Sequence, residues 1–118
     1  MTLLPMPTVE QLVQVFKDNN WTALPGSSGT QLESIQQGKC CAIPALLKLA
    51  NALPNDVSGQ RLYDLVSKLY GYEAVGIWNS FDDPNYYTED YFSSCIGSDN
   101  YKNWIRLGRD LRLALQNL

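Results

Sequence analysis

Apolar residues recur at helical spacing in several parts of the chain, beginning near its N-terminus. Thr8 and Gln11 have the spacing of a capping box, in which each side chain satisfies a backbone N–H of the first helical turn. Apolar residues then follow at i, i+3, i+4 and i+7, namely Val9, Leu12, Val13 and Phe16. This pattern predicts a first helix at about residues 8–19, with Trp21 packed just beyond it.

Two further helices are predicted in the middle of the chain. The segment CCAIPALLKLANAL is apolar almost all round, which is typical of a buried helix. Pro44 is compatible with a helix only in the first turn, so this helix is expected to begin near Ile43. The next helix is predicted at about residues 59–70, capped by Ser58 and ended by Gly71. Its apolar stripe is Leu62, Leu65, Val66 and Leu69.

The C-terminal residues have the clearest helical pattern. Their apolar stripe advances by three or four residues through Tyr101, Trp104, Gly108, Leu111, Leu115 and Leu118. Before this helix, Thr88 is predicted to cap a short helix, Gly97 to end it and Ser98 to cap the last one. Gly108 on the stripe predicts a close helix crossing or the insertion of a partner's side chain. A homodimer through the last helix is therefore one hypothesis.

The connecting segments are less informative. Residues 22–30, TALPGSSGT, consist of turn-forming residues and predict a plain mobile loop. The following QLESIQQGK fits a short strand or a helical turn equally well, and residues 72–79 fit one turn of helix or a short extended segment. Together the patterns predict an all-α fold, a compact bundle of about five helices with room for one short β segment, in a single domain spanning residues 1–118.

Composition excludes several kinds of catalytic site. The chain has no histidine, so Ser-His-Asp triads, Cys-His dyads and histidine proton shuttles cannot form within it. Three cysteines without histidine cannot assemble a four-ligand Cys/His zinc site, and no cofactor motif is present. No apolar run approaches the roughly 18–20 residues of a membrane span. MTLLPMPTVEQ lacks the features of a signal peptide, so we expect a cytoplasmic protein without a membrane association.

Charge is distributed unevenly along the chain. The net charge is −3, which argues against nucleic acid as a direct ligand. Four of the nine basic residues lie in the last helix at spacings of 4, 3 and 3, and predict a basic helix face opposite the apolar stripe. We call this set, Lys102, Arg106, Arg109 and Arg112, the basic helix face. It could bind nucleic acid, a phosphorylated ligand or an acidic partner, but we favour a solvated face or a pairing with the acidic segment that precedes it.

Several features together give the chain a resemblance to a known pattern. Trp21 closes the first helix, CAIPAL at Cys41–Leu46 opens the second, and IWNSFDD from Ile77 follows the third. In these features the chain resembles a family of small uncharacterised bacterial and phage helical domains. The family pattern has an acid directly after the asparagine, where this chain has Ser80. The resemblance implies a small helical domain and carries over no activity.

Two groups of residues could carry chemistry. Cys41, with Cys40 beside it, lies at a predicted helix N-terminus, where a thiolate can be stabilised; a buried structural role is favoured, because no histidine can act as base. The segment VGIWNSFDDPNYYTEDYF has four acidic and six aromatic residues and no cation. Its carboxylates could hold a hard cation or form an acid–base pair around Asp82 and Asp83, but the spacing does not fit a calcium-binding EF-hand loop.

Binding to another macromolecule is the favoured interpretation of this segment. Aromatic rings beside carboxylates are typical of an interface anchor with a charged rim. We predict that Ile77, Trp78, Phe81 and Phe92 anchor the segment. The predicted contact residues are Asp82, Asp83, Tyr86 and Tyr87, with Arg106 and Arg109 of the basic helix face. The expected function is that of an accessory, inhibitory or immunity-type factor with a protein partner; the alternative is a small-ligand-binding protein or enzyme that uses Cys41 or the two aspartates.

Overall fold

The described part of the chain folds into six α-helices and two very short strands. The structure, a computed structural model, describes residues 2–55, 59–86 and 99–117. The helices are α1 (Val9–Asp18), α2 (Leu32–Gln36), α3 (Ala42–Leu49), α4 (Gly59–Tyr70), α5 (Val75–Asp82) and α6 (Asp99–Gln116). The strands are β1 (Thr22–Ala23) and β2 (Lys39–Cys40), and two 3₁₀ turns cover Ser27–Thr30 and Tyr72–Ala74. The predicted all-α fold is confirmed.

Helix α1 begins at the predicted capping box. Thr8 Oγ1 accepts the N–H of Gln11 at 3.2 Å, and Gln11 Oε1 accepts the N–H of Thr8 at 2.9 Å. Both side chains satisfy backbone donors that the first helical turn leaves open, so the helix starts where the sequence predicts. Its inner face buries Leu12, Val15 and Phe16.

Helix α3 is the central buried helix that the sequence predicts. Every residue from Ala42 to Leu47 is buried. Pro44 is the third residue of the helix, where a missing N–H removes no helical hydrogen bond. The helix therefore accepts the proline without a kink, and it begins at Ala42, one residue before the predicted start.

The segment that could have been helix or strand is helical. Gly71 ends α4 with φ of 99°, in the left-handed region that favours glycine. The chain then makes the 3₁₀ turn Tyr72–Ala74 and continues directly as α5. Several predictions fall outside the described residues. These are the helix caps Ser58, Thr88 and Ser98, and the short helix expected to begin after Thr88 and end at Gly97.

The prediction of a plain loop at residues 22–30 is wrong for much of its length. Thr22 and Ala23 form β1, which pairs in parallel with β2, and Gly29 and Thr30 are buried. A Cβ at Gly29 would lie 2.6 Å from the backbone nitrogen of Cys41, and the Cys41 N–H donates to the Gly29 carbonyl at 3.1 Å. Gly29 permits this close approach of two backbones because it has no side chain.

Helices α5 and α6 cross in close contact at two glycines. A Cβ at Gly108 would meet Ser80 Oγ and the carbonyl oxygen of Ile77. A Cβ at Gly76 would lie only 3.0 Å from the ring of Tyr101. The predicted close crossing at Gly108 is therefore confirmed. It occurs within one chain, so this glycine gives no support to the homodimer hypothesis.

Aromatic side chains join the helices in the core. Phe16 of α1 stacks on Phe81 of α5 with ring centroids 6.4 Å apart. Tyr70 of α4 meets Trp104 of α6 edge to face at 5.7 Å. The largest fully buried side chains are Trp104, Phe16, Phe81, Leu12, Ile43, Leu46, Leu47, Leu62, Ile77, Ile105, Leu111 and Val66. None of the helices in the described ranges is both long and apolar enough to cross a membrane.

The crossing of α5 and α6 makes a prediction about stability. Gly108→Ala adds a methyl group where Ile77 and Ser80 leave no space, so the helices must separate. We expect the free energy of unfolding to fall by about 2–4 kcal/mol, although alanine has the higher helix propensity. Urea denaturation followed by circular dichroism measures this. Asp110→Ala, at an exposed position of the same helix, is the matched control and should stay within about 0.5 kcal/mol of wild type.

Candidate functional site

Three of the predicted contact residues, Asp82, Asp83 and Tyr86, lie together at the C-terminal end of α5. Asp82 is the last residue of the helix and Asp83 follows as its C-cap. Together with Asn79 and Tyr86 they line an open surface depression of about 470 Å³. We call these four residues the acid–aromatic surface. Tyr87, also predicted to contact a partner, lies outside the described residues.

Asp82 has partners within the chain. Its Oδ1 accepts the backbone N–H of Gly26 at 2.7 Å, which attaches the loop after β1 to the end of α5. The carboxyl is half-buried, and loss of hydration raises its pKa above the ordinary value; the Gly26 hydrogen bond and the nearby Arg112 charge oppose that rise. Asp82 therefore has a structural role, and its predicted contact with another molecule stays a prediction.

Arg112 occupies the end of α5 rather than the solvated face of α6. Its Nη1 donates to the carbonyl oxygens of Phe81 and Asp82, the latter at 3.5 Å. The guanidinium also lies over the Phe81 ring, 5.7 Å from its centroid. The last carbonyls of a helix lack intrahelical partners and form the negative end of its dipole, so a cation there is doubly favourable.

The spacing of the basic residues explains why Arg112 was misplaced in the prediction of a basic helix face. Each step of three residues turns a side chain about 60° backwards around an α-helix. Two such steps separate Arg106 from Arg112, a rotation of about 120°. Arg106 is on the solvated side of α6, so Arg112 lies at the edge of the buried stripe. Arg106 is exposed, with Nη1 3.3 Å from Asn103 Oδ1, and Arg109 is half-buried.

Arg106 and Arg109 were predicted to act together with the two aspartates. Helices α5 and α6 run in the same direction where they touch. The start of α5 contacts α6 at Gly76 and Trp104, and its end contacts α6 at Phe81 and Arg112. Arg106 lies six residues before Arg112, or about 9 Å along the helix axis, and on another side of it. The structure thus brings Arg112 to the acidic end of α5, and the involvement of Arg106 and Arg109 in binding stays a prediction.

Asp83 and Tyr86 are the exposed members of the acid–aromatic surface. The side chain of Tyr86 is 59% exposed, although it is a large aromatic ring. Its backbone N–H donates to Asp83 Oδ1 at 3.2 Å, which holds the turn after α5 in one conformation. On the helix side, Asn79 Nδ2 donates to the Tyr101 hydroxyl at 3.0 Å. The result is an ordered carboxylate beside an exposed ring.

The predicted anchors behave as expected where the structure describes them. Ile77 and Phe81 are fully buried, and the Trp78 ring packs edge to face against Tyr63 with centroids 6.2 Å apart. The fourth predicted anchor, Phe92, lies outside the described residues. The buried residues of α5 thus face the core while its C-terminal end reaches the surface.

The two neighbouring cysteines are unsuited to nucleophilic chemistry. Cys40 and Cys41 are both fully buried. Burial raises the pKa of Cys41 to about 12 and raises that of Cys40 well above its ordinary value, an effect increased by the neighbouring thiol. Both thiols are therefore protonated near neutral pH, and the thiolate is the reactive form. Cys41 is the N-cap of α3, but its side chain makes no capping hydrogen bond.

Metal binding has no assembled site among residues 2–55, 59–86 and 99–117. No group of three or more cysteine, aspartate or glutamate side chains comes together there in an arrangement that could hold an ion. Asp82 and Asp83 are adjacent in the chain, but Asp82 is directed to Gly26 and Asp83 to Tyr86. The two carboxylates thus have separate partners.

The environment of Asp82 makes a prediction about stability and pH. Asp82→Ala removes the acceptor for the Gly26 N–H and should lower the free energy of unfolding by about 1–3 kcal/mol. Asp82→Asn keeps an acceptor oxygen and avoids burying a charge, so it should lose less.

The stability difference between wild type and Asp82→Asn should depend on pH, because folding raises the pKa of Asp82. The folded-state pKa exceeds that of the unfolded chain, so the contribution of Asp82 is complete below the unfolded value and is lost as pH rises through the folded value. The stability of wild type relative to Asp82→Asn should therefore increase as pH falls from about 7 towards 4. Thermal melts of both proteins across this range measure it, and an unchanged or opposite trend contradicts the assignment.

The burial of the cysteines predicts their reactivity. In a Cys95→Ser variant, which leaves only Cys40 and Cys41, a thiol reagent at about pH 8 should react more than 100-fold more slowly with native protein than with urea-unfolded protein. Absorbance of the released chromophore follows the reaction. Native reaction at the unfolded rate would show that the thiols are accessible.

Comparison of the chain with protein-family models, with curated proteins and with solved structures gives no match in any of the three. The resemblance to small bacterial and phage helical domains accordingly stays a prediction, and the site must be interpreted from its own geometry.

Proposed function

We propose that the protein acts by binding another protein through the acid–aromatic surface. The observation that carries this proposal is the pairing of Asp83 with Tyr86. A large ring is 59% exposed, and its own backbone holds the neighbouring carboxylate in place. Tyrosine contributes much contact area at a small loss of side-chain entropy, so it is enriched where proteins bind one another.

The contacts that fix the end of α5 favour a binding role for Asp83 and Tyr86 over a turn with no function of its own. The carbonyls of Phe81 and Asp82 are held by Arg112, and Asp82 is attached to Gly26. An interaction surface that is ordered before binding loses less conformational entropy when the partner arrives. The end of α5 therefore has the rigidity that a specific interface uses.

The chemistry of the surface indicates the class of partner. Asp83 is an exposed carboxylate, and the depression around it is lined by hydrogen-bonding groups of Asn79 and Tyr86. A basic partner surface that presents arginine or lysine would pair with the carboxylate and place its guanidinium or ammonium group near the tyrosine ring. We propose an accessory, inhibitory or immunity-type role in the cytoplasm of a bacterium, or in a phage-infected cell, for such a protein.

The alternative of an enzyme or small-ligand-binding protein has less support. Its two candidate centres were Cys41 and the carboxylates of Asp82 and Asp83. Cys41 is buried and its thiol is protonated near neutral pH, while Asp82 is engaged by a backbone N–H. The two carboxylates line an open depression, but each accepts a different backbone N–H, so they are not arranged as an acid–base pair.

Comparative affinity purification tests the proposal. The tagged chain, an Asp83→Asn/Tyr86→Ala variant and a Lys48→Ala control are used as baits in a lysate of the organism that encodes the protein. Mass spectrometry then quantifies the retained proteins. We expect a specific partner to be retained by wild type and by the control, whose exposed lysine lies on α3, and to fall at least about tenfold with the double variant.

The melting temperature of each bait must match wild type for the comparison to be valid. Both substituted side chains are exposed, so the double variant should fold normally. A partner retained equally by all three baits would show that binding occurs elsewhere. A wild-type bait that retains nothing beyond a tag-only control would contradict a binding function.

A further inference from the structure

Strand β1 has an open edge. The N–H of Thr22 donates to the Gly38 carbonyl at 2.7 Å, and the N–H of Leu24 donates to the Cys40 carbonyl at 2.8 Å. Successive residues of a strand direct their backbone groups to opposite sides, so the N–H and C=O of Ala23 point away from β2. Within the described part of the chain, neither group of Ala23 has a hydrogen-bond partner. This is the donor–acceptor pair that an additional strand would use.

An apolar groove adjoins this strand. It has a volume of about 370 Å³ and lies between the end of α1, β1 and the end of α6. Its apolar lining is provided by Phe16, Trp21, Ala23 and Leu115, and its polar lining by Lys17, Asn20 and Thr22. Trp21 is half-buried and meets Phe16 edge to face at 6.1 Å, so its ring is held in place. In an added strand, every second side chain would point to the same face of the sheet, and one of these side chains could pack against this lining.

The charged side chain among the described residues that line the groove is a lysine. Lys17 is exposed and lines the groove, and Lys39 is exposed on β2, directly opposite Thr22 in the strand register. Partners in register place their side chains on the same face of a sheet, so Lys39 and Thr22 share the solvent face. The neighbouring acids are engaged elsewhere: Asp18 accepts from Gln14 Nε2, Asp82 accepts the Gly26 N–H, and neither lines the groove.

From these three observations we infer that the open edge of β1 binds an extended peptide segment of a partner protein. The peptide adds a third strand through the N–H and C=O of Ala23, buries an apolar side chain against Trp21 and Leu115, and directs a carboxylate towards Lys17 and Lys39. The site shares no lining residue with the acid–aromatic surface and has the opposite charge preference. Pro25 follows β1 closely, which limits the new ladder to the two bonds at Ala23, so binding is weak and depends on the side chains.

Titration with peptides of defined chemistry tests this inference. The probes are a short capped peptide of alternating valine and glutamate, its valine–lysine counterpart, and the valine–glutamate peptide with N-methylated central amides. The chain is 13.3 kDa, so amide spectra can follow the Ala23 N–H and the Trp21 indole directly. We expect saturable shifts at both positions with the valine–glutamate peptide. Binding should be at least about tenfold weaker for the other two peptides.

Protein variants locate the contact. Ala23→Pro removes the outward N–H without removing a bond between β1 and β2, and it should weaken binding at least about tenfold. Lys17→Glu/Lys39→Glu should have a similar effect, whereas Lys48→Glu, a charge reversal at a distant exposed position, should change affinity less than about twofold. Melting temperatures establish that each variant is folded. If Ala23→Pro does not fold, the N-methylated peptide tests the same hydrogen bonds from the ligand side.

Several outcomes would overturn the inference. Absence of saturation by about 1 mM peptide contradicts a peptide site, and equal binding of the N-methylated peptide contradicts strand addition. If light scattering shows a dimer that Ala23→Pro abolishes, the edge pairs with a second copy instead. Because none of these variants touches Asp83 or Tyr86, failure here leaves the test of the proposed function unaffected.

Discussion

The close crossing of α5 and α6 is the contact on which the remaining structure depends. Gly108 has no side chain, so Ile77 and Ser80 approach the backbone of α6 more closely than any Cβ would permit. This approach brings Arg112 to the last carbonyls of α5 and over the Phe81 ring. A wider crossing would leave those carbonyls without the guanidinium and would expose the ring. The position of one glycine therefore determines how one helix end is capped by the next helix.

The end of α5 is a junction of three parts of the chain. Arg112 attaches it to α6, Asp82 attaches it to the loop at Gly26, and Phe81 stacks on Phe16 of α1. The loop in turn contacts the start of α3 through Gly29. A charged side chain at partial burial is costly by itself, but here the carboxylate has a backbone donor and a cation nearby. The exposed residues Asp83 and Tyr86 therefore follow a helix end that is fixed by contacts with α1, α6 and the loop at Gly26.

The protein offers two surfaces of opposite chemistry and no assembled catalytic centre in its described residues. The acid–aromatic surface presents a carboxylate and a tyrosine ring, whereas the groove beside β1 presents a lysine, apolar side chains and the outward backbone groups of Ala23. The absence of histidine and the burial of Cys40 and Cys41 remove the common nucleophile–base pairs. We propose that both surfaces recognise other proteins, one through side chains and the other through a strand edge.

Capping, proline tolerance and apolar periodicity are local properties, so the pattern of residues predicts α1, α3, α4 and α6, whereas it leaves α2 and α5 open between helix and strand. The capping box at Thr8, the buried α3 and the stop at Gly71 are examples. The partners of polar groups that lie far apart in the sequence are set by the packing of the folded chain. Asp82 reaches Gly26 across 56 positions, and no local pattern encodes that bond or the pairing of β1 with β2. Arg112 showed a weak signal in its three-residue spacing, but its environment depended on where α5 ends.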